Sequence, residues 1–449
     1  NNFILILPKL NDNLNEEWIT DKIRHFYDCL SIQRYTVPSL LLFNSSYLNS
    51  SWEYIQILVS SLLTFYKSVY KIVIKTGNLL DLGTSLILRY LGGLLHTNNF
   101  NSRNSQINKR NYFMFSDYPS NIEKKSVYYI LGTNMDYELP LLKLRIQKNH
   151  RNKRIYVSGS YWNSMLPDIK HCGTSLKNVC SILEGRSLLC YKMILENSIE
   201  LVCRSNGSEG NSTGYYRILQ LIIHSLRSIN CIYSHYFLGD VNLSCLVTHP
   251  GYLSSYEYGL YKNFYCSNTY SMNESFYKSL LINVLHHVNT EDNKHHKSIF
   301  IAHHERMNQL SKDNIILPSS SFMEKKQSYL NNFGMIRRTN KVLSPLGESK
   351  SPYKIIKELI QEFSSSKLVG RVKSLYLKLK QMRNKIISTY SDLQSYTIEE
   401  GSIIDILPKI FYYYHISDLL TANSPIMYKL VKERKELDGT FYNNSIYPI

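Results

Sequence analysis

Apolar positions along this chain recur in two periods. Between Ser298 and Lys350, two short β-branched runs, Ile299–Ala302 and Asn314–Leu317, flank a polar loop, and Pro318 closes the second. Runs of this length ended by Pro or Gly read as interior strands of an α/β sheet. Turn points follow at Asn331-Asn332 and Gly334, with a second break at Pro345-Leu346-Gly347. Upstream, Trp52, Ile55, Leu58, Val59, Leu62 and Leu63 fall at helical spacing behind a capping Ser51, with Glu53 in the first turn. A strand is predicted over Val69–Ile74, stopping at Thr76-Gly77, and then a helix over Asp81–Leu95. Strands over Tyr112–Phe115 and Val127–Leu131, a Gly132-Thr133-Asn134 turn, a helix over Leu139–Lys148 and a strand over Arg154–Val157 continue the series. This alternation predicts an α/β protein with parallel or mixed sheets and flanking helices.

The remaining segments are less regular. An apolar run, Phe3–Leu7, is stopped by Pro8, and the polar lead-in after it carries no strong apolar stripe. Arg204–Gly214 reads as a loop, Ile218–Leu226 as a buried helix, and the tyrosine-rich Tyr252–Tyr270 as irregular surface. Helices are predicted over Tyr353–Phe363 and Leu368–Ile387, and Ile403–Ile449 reads as a docking tail. The organisation expected is a lead-in over 1–50, an α/β region over 51–350, and carboxy-terminal helices with the tail over 351–449.

Composition alters this picture at two points. Tyr occurs 37 times, whereas Ala stands only at positions 302 and 422. Ala is the best helix former, so folding gives no reason to remove it. AT-rich coding does, and it points to an organellar genome. The formal net charge is +17, but the basic residues are scattered and the densest run, Arg145–Arg154, has no interleaved aromatics. Solvated surface is the plainer reading, and nucleic-acid binding the weaker alternative.

Candidate chemistry is mostly excluded. The eight cysteines (29, 172, 180, 190, 203, 231, 245 and 266) form no C-x-x-C pair, and their spacing fits a reducing compartment rather than a zinc or cluster site. There is no G-x-G-x-x-G, no G-x-x-x-x-G-K-[ST] and no G-x-S-x-G. His286-His287, His295-His296 and His303-His304 invite a metal reading, but neighbouring side chains on a strand point to opposite faces. Asp81, Glu184 and Asp240 read as lone carboxylates. The most apolar window, Tyr54–Lys75, is interrupted by Lys67 and Lys71, so no spanning helix is expected. No secretory signal is visible, and a start at Asn1-Asn2 without Met reads as a missing upstream part.

Several segments, in order along the chain, resemble one family. These are LPKLNDNLNEEWITDKIRHFYDCLSIQRYT near the start, LGTNMDYELPLLKLRIQK, and His171-Cys172-Gly173-Thr174. Ile316-Leu317-Pro318, Glu324-Lys325, Tyr329, Asn331 and Gly334 follow, then Pro345, Gly347-Glu348, Lys354-Ile355-Ile356 and DLLTANSPIM at 418–427. Together they resemble the carboxy-terminal region of the 75-kDa subunits of respiratory complex I, NADH:ubiquinone oxidoreductase. The resemblance implies a molybdopterin-oxidoreductase-like fold lacking its cofactor.

It implies a scaffold in the peripheral arm, on the matrix side of the mitochondrial inner membrane, that carries no electrons and no catalytic or metal site of its own. Iron–sulfur clusters are expected on the amino-terminal half of the subunit, either a separate chain or a segment not covered. Other peripheral-arm subunits are the expected partners, with no nucleic acid and no direct membrane insertion. The family's H-H-G-D-x-G-A is HHERMNQ here and its P-G-A-A is PSSS, so positions where backbone would approach a ligand have lost Gly and Ala. Thr133, Asn134, Glu138, His303 and His304 are the residues expected to line a vestigial cleft. An active molybdopterin-dependent oxidoreductase is the first alternative and a basic organellar RNA-binding protein the second.

Overall fold

The computed structural model describes residues 5–41, 47–69, 72–102, 115, 117–148, 153–159, 169–183, 186–189, 198–204, 240–247, 249–260, 280–285, 297–304, 314–363 and 420–437. The predicted strand Tyr112–Phe115 lies outside them except for Phe115. The predicted helices Ile218–Leu226 and Leu368–Ile387, His286-His287, His295-His296 and Glu184 lie outside them entirely.

The chain first lays down β1 (Ser39–Leu41), β2 (Tyr47–Asn49), β3 (Ile72–Thr76) and β4 (Phe100–Ser102). It then builds β5 (Val127–Leu131), β6 (Arg154–Ser158), β7 (Ile169–His171), β8 (Ser198–Arg204) and β9 (Asp240–Leu246). Finally it returns with β10 (Leu280–Val284), β11 (Lys297–Ala302), β12 (Ile315–Pro318), and a hairpin of β13 (Gln327–Leu330) and β14 (Ile336–Thr339).

Two sheets result. The first runs in the order β2-β1-β12-β11-β10-β3-β4, and the second in the order β7-β6-β5-β8-β9. The second is parallel throughout, and so is the first from β12 to β4. Strands β1 and β2 add antiparallel to its other edge. The α/β class read from the periodicity is the observed one.

The local reasons are ordinary. Helix Trp52–Val69 buries Ile55, Val59 and Leu63, helix Leu82–Leu94 buries Ile87, Leu88 and Leu91, and helix Pro352–Phe363 buries Ile355, Ile356, Leu359 and Ile360. All three cover the face of the first sheet formed by Ile72, Ile74, Leu280, Ile282, Ile299, Ile301, Ile315 and Leu317. Strand β3 starts at Ile72, not Val69, because the amphipathic helix runs on to Val69. The period-2 signal of the strand and the tail of the helix overlap in sequence, and the helix takes the shared residues. Tyr252–Tyr270 was expected to be irregular. Its described part contains most of helix Pro250–Glu257, which buries Gly251, Leu253, Ser254 and Ser255. Small residues packed against another backbone make this helix, and an apolar-stripe reading does not see them.

Both ends of the described chain join the core. Phe26, Cys29 and Leu30 form a small cluster with Leu420. Asp28 accepts hydrogen bonds from Ser424 Oγ at 2.5 Å and from the Ile426 amide at 3.0 Å, which caps helix Pro425–Leu437. No described helix is long and apolar enough to cross a membrane.

Candidate functional site

Ligands of open α/β sheets bind beyond the carboxyl ends of strands, where the chain leaves neighbouring strands in opposite directions. The first sheet has such a point between β3, which leads to β4, and β10, which leads to β11. The second has one between β5 and β8, and Gly132-Thr133-Asn134 stands on it.

The first point is filled by the protein itself. The Gly77 amide donates to Val284 O at 3.0 Å, and the Gly251 amide, in the first turn of helix Pro250–Glu257, donates to Asn78 O at 2.9 Å. Thr76 Oγ1 and Ser255 Oγ lie 3.2 Å apart. A Cβ added to Gly251 would stand 2.5 Å from the carbonyl oxygens of both Gly77 and Asn78. Only glycine permits so close an approach.

Beside it, past the ends of β11 and β12, lies a buried charge network. Arg34 donates from Nε to His303 O at 3.0 Å, from Nη1 to Leu30 O at 2.9 Å, and from Nη2 to the Glu324 carboxylate at 2.7 Å. The Ser321 amide donates to the same carboxylate at 2.7 Å. Both side chains of this ion pair are 1% exposed. A second buried pair joins Lys325 to Asp81 at 3.4 Å. Asp81 also caps helix Leu82–Leu94 through the Thr84 amide and hydroxyl, at 3.1 and 2.6 Å. The reading of Asp81 as a lone carboxylate is therefore corrected. Its cation lies far along the chain, where spacing rules do not reach. The hydroxyls of Ser319, Ser320 and Ser321 are buried here without a hydrogen-bond partner among the described residues.

His303 and His304 do not splay to opposite faces. They follow the last residue of β11, where the strand bends, and their Nδ1 atoms meet at 2.6 Å. His304 donates from Nε2 to Cys29 O at 2.6 Å. Burial holds the His303 imidazole well below its usual pKa, and the neighbouring His304, Arg34 and Lys325 push the same way. The folded state therefore keeps His303 neutral where the unfolded chain takes up a proton. Its contribution to stability is complete above about pH 6.5 and is lost as pH falls from there toward the depressed folded value. We expect His303→Gln to flatten the pH dependence of the unfolding midpoint below pH 6.5 relative to the parent chain. The difference in slope would be at most about 1.4 kcal/mol per pH unit. Parallel midpoint curves for the two proteins would refute the assignment.

At the second sheet, the Thr133 hydroxyl donates to Leu131 O at 3.2 Å, and the Asn134 side chain accepts from the Asp136 amide at 2.9 Å. Thr133, Asn134 and Glu138 are all buried. Gly132 and Gly159 both have positive φ, and a Cβ on Gly159 would lie 3.2 Å from Gly132 Cα. The five cleft candidates are thus divided between two sheets, Thr133, Asn134 and Glu138 past the carboxyl end of β5 and His303 and His304 past that of β11. Sequence reading missed Arg34 and Gly251. Arg34 falls in the lead-in, which shows no apolar stripe, and Gly251 is marked only by the His249-Pro250-Gly251 turn signal.

The dense basic run is largely committed to the fold. Arg145 is buried and pairs with Glu123 at 3.1 Å, Lys148 pairs with Glu16, and Lys153 donates to Ile146 O at 3.2 Å.

Gly251 closes the first switch point, and the charged side chains beside it are turned onto one another. Among the described residues, no three His, Cys, Asp or Glu side chains gather into a metal-holding set.

A family model described as "Molybdopterin oxidoreductase" matches residues 46–362. One described as "NADH-ubiquinone oxidoreductase NDSU1/NuoG-like, 4Fe-4S domain" matches residues 1–28, a stretch without cysteine. The chain is 27% identical over 368 residues to the NADH-ubiquinone oxidoreductase 75 kDa subunit of Acanthamoeba castellanii, covering 80% of this chain and 52% of that one. To the subunit of the same name in Reclinomonas americana it is 25% identical over 376 residues, covering 79% and 53%. To the mitochondrial NADH-ubiquinone oxidoreductase 78 kDa subunit of Neurospora crassa it is 23% identical over 465 residues, covering 98% and 57%. The chain thus spans a little over half the length of these relatives. In fold it is similar to a chain of the formyltransferase/hydrolase complex from Methylorubrum extorquens, with a TM-score of 0.51 and 7% identity, covering 69% of this chain and 96% of that one.

Proposed function

The chain belongs to the molybdopterin oxidoreductase family, and on that basis we propose that it serves as a structural part of the large peripheral-arm subunit of complex I. In this reading it supports electron transfer from NADH to ubiquinone without holding a redox centre. It sits on the matrix side of the mitochondrial inner membrane, is encoded in an AT-rich organellar genome, and works beside an iron–sulfur half that carries the clusters. Other subunits of the peripheral arm are its partners. The relatives' names support the complex, and Gly251 lodged in the switch point supports a scaffold.

The experiment is to purify the native assembly and measure both its composition and its metals. The chain is expected to co-migrate with NADH:ubiquinone oxidoreductase activity, and molybdenum and tungsten are expected at far below one atom per chain. A stoichiometric amount of either metal would overturn the scaffold reading in favour of a molybdopterin-dependent enzyme. The RNA-binding alternative is disfavoured by the internal pairing of Arg145 and Lys148.

A further inference from the structure

Two thiols meet inside the second sheet. Cys203 on β8 and Cys245 on β9 are register partners on neighbouring parallel strands, so their side chains leave the same face. Their Sγ atoms lie 3.2 Å apart, close enough for one thiol to donate to the other, and both residues are 0% exposed. They sit in the core cluster with Tyr129, Leu131, Leu201 and Val247, and both are free cysteines. The other described cysteines turn to backbone: Cys29 Sγ donates to Phe26 O at 2.7 Å and Cys172 Sγ to Lys170 O at 3.5 Å.

A single buried cysteine packs as a small hydrophobe and needs no further account. Two directly opposed thiols are another matter. Neighbouring parallel strands lie about 4.8 Å apart, within the roughly 4.4–6.8 Å that disulfides span between Cα atoms. Closing the bond takes side-chain rotation and leaves the ladder in place. Access is the remaining requirement. Strand β9 ends the sheet order β7-β6-β5-β8-β9, so among the described residues it has a paired neighbour on one side only. Opening this edge locally uncovers both sulfurs. While the edge is closed the pair is inert. The hydrogen bond with Cys245 and burial hold the Cys203 thiol well above its usual pKa, Glu200 pushes the same way, and thiolate is the reactive form.

We propose that Cys203 and Cys245 form a peroxide-oxidisable dithiol whose disulfide fastens the edge strand β9 to β8. Hydrogen peroxide oxidises one thiol to a sulfenic acid, and its second oxygen leaves as water. The other sulfur then attacks the sulfenic sulfur. The S–S bond forms, the S–O bond breaks, and the hydroxyl departs with the remaining thiol proton as a second water. The two thiols lose two electrons and two protons in total, and peroxide takes up both. The tie falls just ahead of helix Pro250–Glu257, so it holds the strand that leads Gly251 into the switch point.

The test is differential alkylation of the native assembly after graded hydrogen peroxide. Free thiols are blocked with light N-ethylmaleimide on unfolding, disulfides are reduced, and the thiols released take the heavy reagent before peptide mass spectrometry. Cys203 and Cys245 are expected to pass together from the light to the heavy label, and an unreduced digest to contain their two peptides joined. If both keep the light label when the half-buried Cys172 is fully oxidised, or if one is oxidised without the other, the proposal fails. Cys245→Ser should abolish the heavy label at Cys203; a label that persists there would show that Cys203 pairs elsewhere. The fastening is read from urea unfolding. Peroxide should raise the midpoint of the parent relative to that of the Cys245→Ser chain, and dithiothreitol should reverse the rise. An equal or lower midpoint in the oxidised parent would overturn the role given to the bond.

Discussion

Replacing Glu324 with alanine is expected to destabilise the fold by about 3–5 kcal/mol, because it leaves Arg34 charged, buried and without its carboxylate. The pair is 2.7 Å apart with both side chains 1% exposed, so water cannot take over. The loss reaches further than one contact. The same carboxylate receives the Ser321 amide, and the Arg34 guanidinium ties Leu30 and His303 together. Glu324→Gln should cost less, since it keeps an acceptor for Ser321. The double substitution Arg34→Met with Glu324→Met should cost less than Glu324→Ala alone, because a buried pair replaced by apolar groups leaves no stranded charge. Urea unfolding of the four proteins measures this. A Glu324→Ala midpoint within the error of the parent would show that the pair is solvated or not formed.

The second large effect is expected at Gly251. Gly251→Ala should cost about 3 kcal/mol, at the upper end of overpacking penalties. The atoms in the way are the backbone carbonyls of Gly77 and Asn78, which cannot swing aside like the end of a side chain. The amide of Gly251 also donates to one of them, so any shift that relieves the clash strains that bond. Gly83→Ala is the matched control. Its added Cβ would meet Asp81 Oδ2 at 3.4 Å, an ordinary contact, on a helix where Ala is favoured over Gly by about 1 kcal/mol. A rise or no change in melting temperature is expected at Gly83 and a large fall at Gly251. Equal effects would show that the switch point is not packed shut.

What could be read in the sequence follows from how local each signal is. Strands β11 and β12 were placed within two residues of their ends because β-branched runs bounded by Pro or a polar loop have few other uses. Helix Pro352–Phe363 stood out by its apolar period. Strands β1 and β2 were not visible. They are three residues long, and nothing local separates such strands from loop. The turn at Asn331 and Gly334 was seen, but not that it closes the β13–β14 hairpin.

The site was harder still. Thr133 and Asn134 could be named from a strand-to-helix turn, which is a local event. Arg34, Asp81, Glu324 and Lys325 form pairs across more than two hundred residues, and no spacing rule reports that. The expectation that His303 and His304 point to opposite faces did not hold, because a strand's alternation was extended one bend too far.

The path of the chain also sets an order of assembly. All five strands of the second sheet lie between Val127 and Leu246, so their pairing can form while later residues are still being synthesised. The first sheet cannot close then. Ser39 must wait for Ile316, and Ile72 for Leu280, before either gains its neighbour. Until that happens β1 to β4 are unfinished edges, exposed for most of translation to pairing with the wrong strand. Strands β10 to β12 act as the closing step, and a chain truncated before Leu280 should expose β1 to β4 to chaperones and proteases rather than accumulate as a half-built fold.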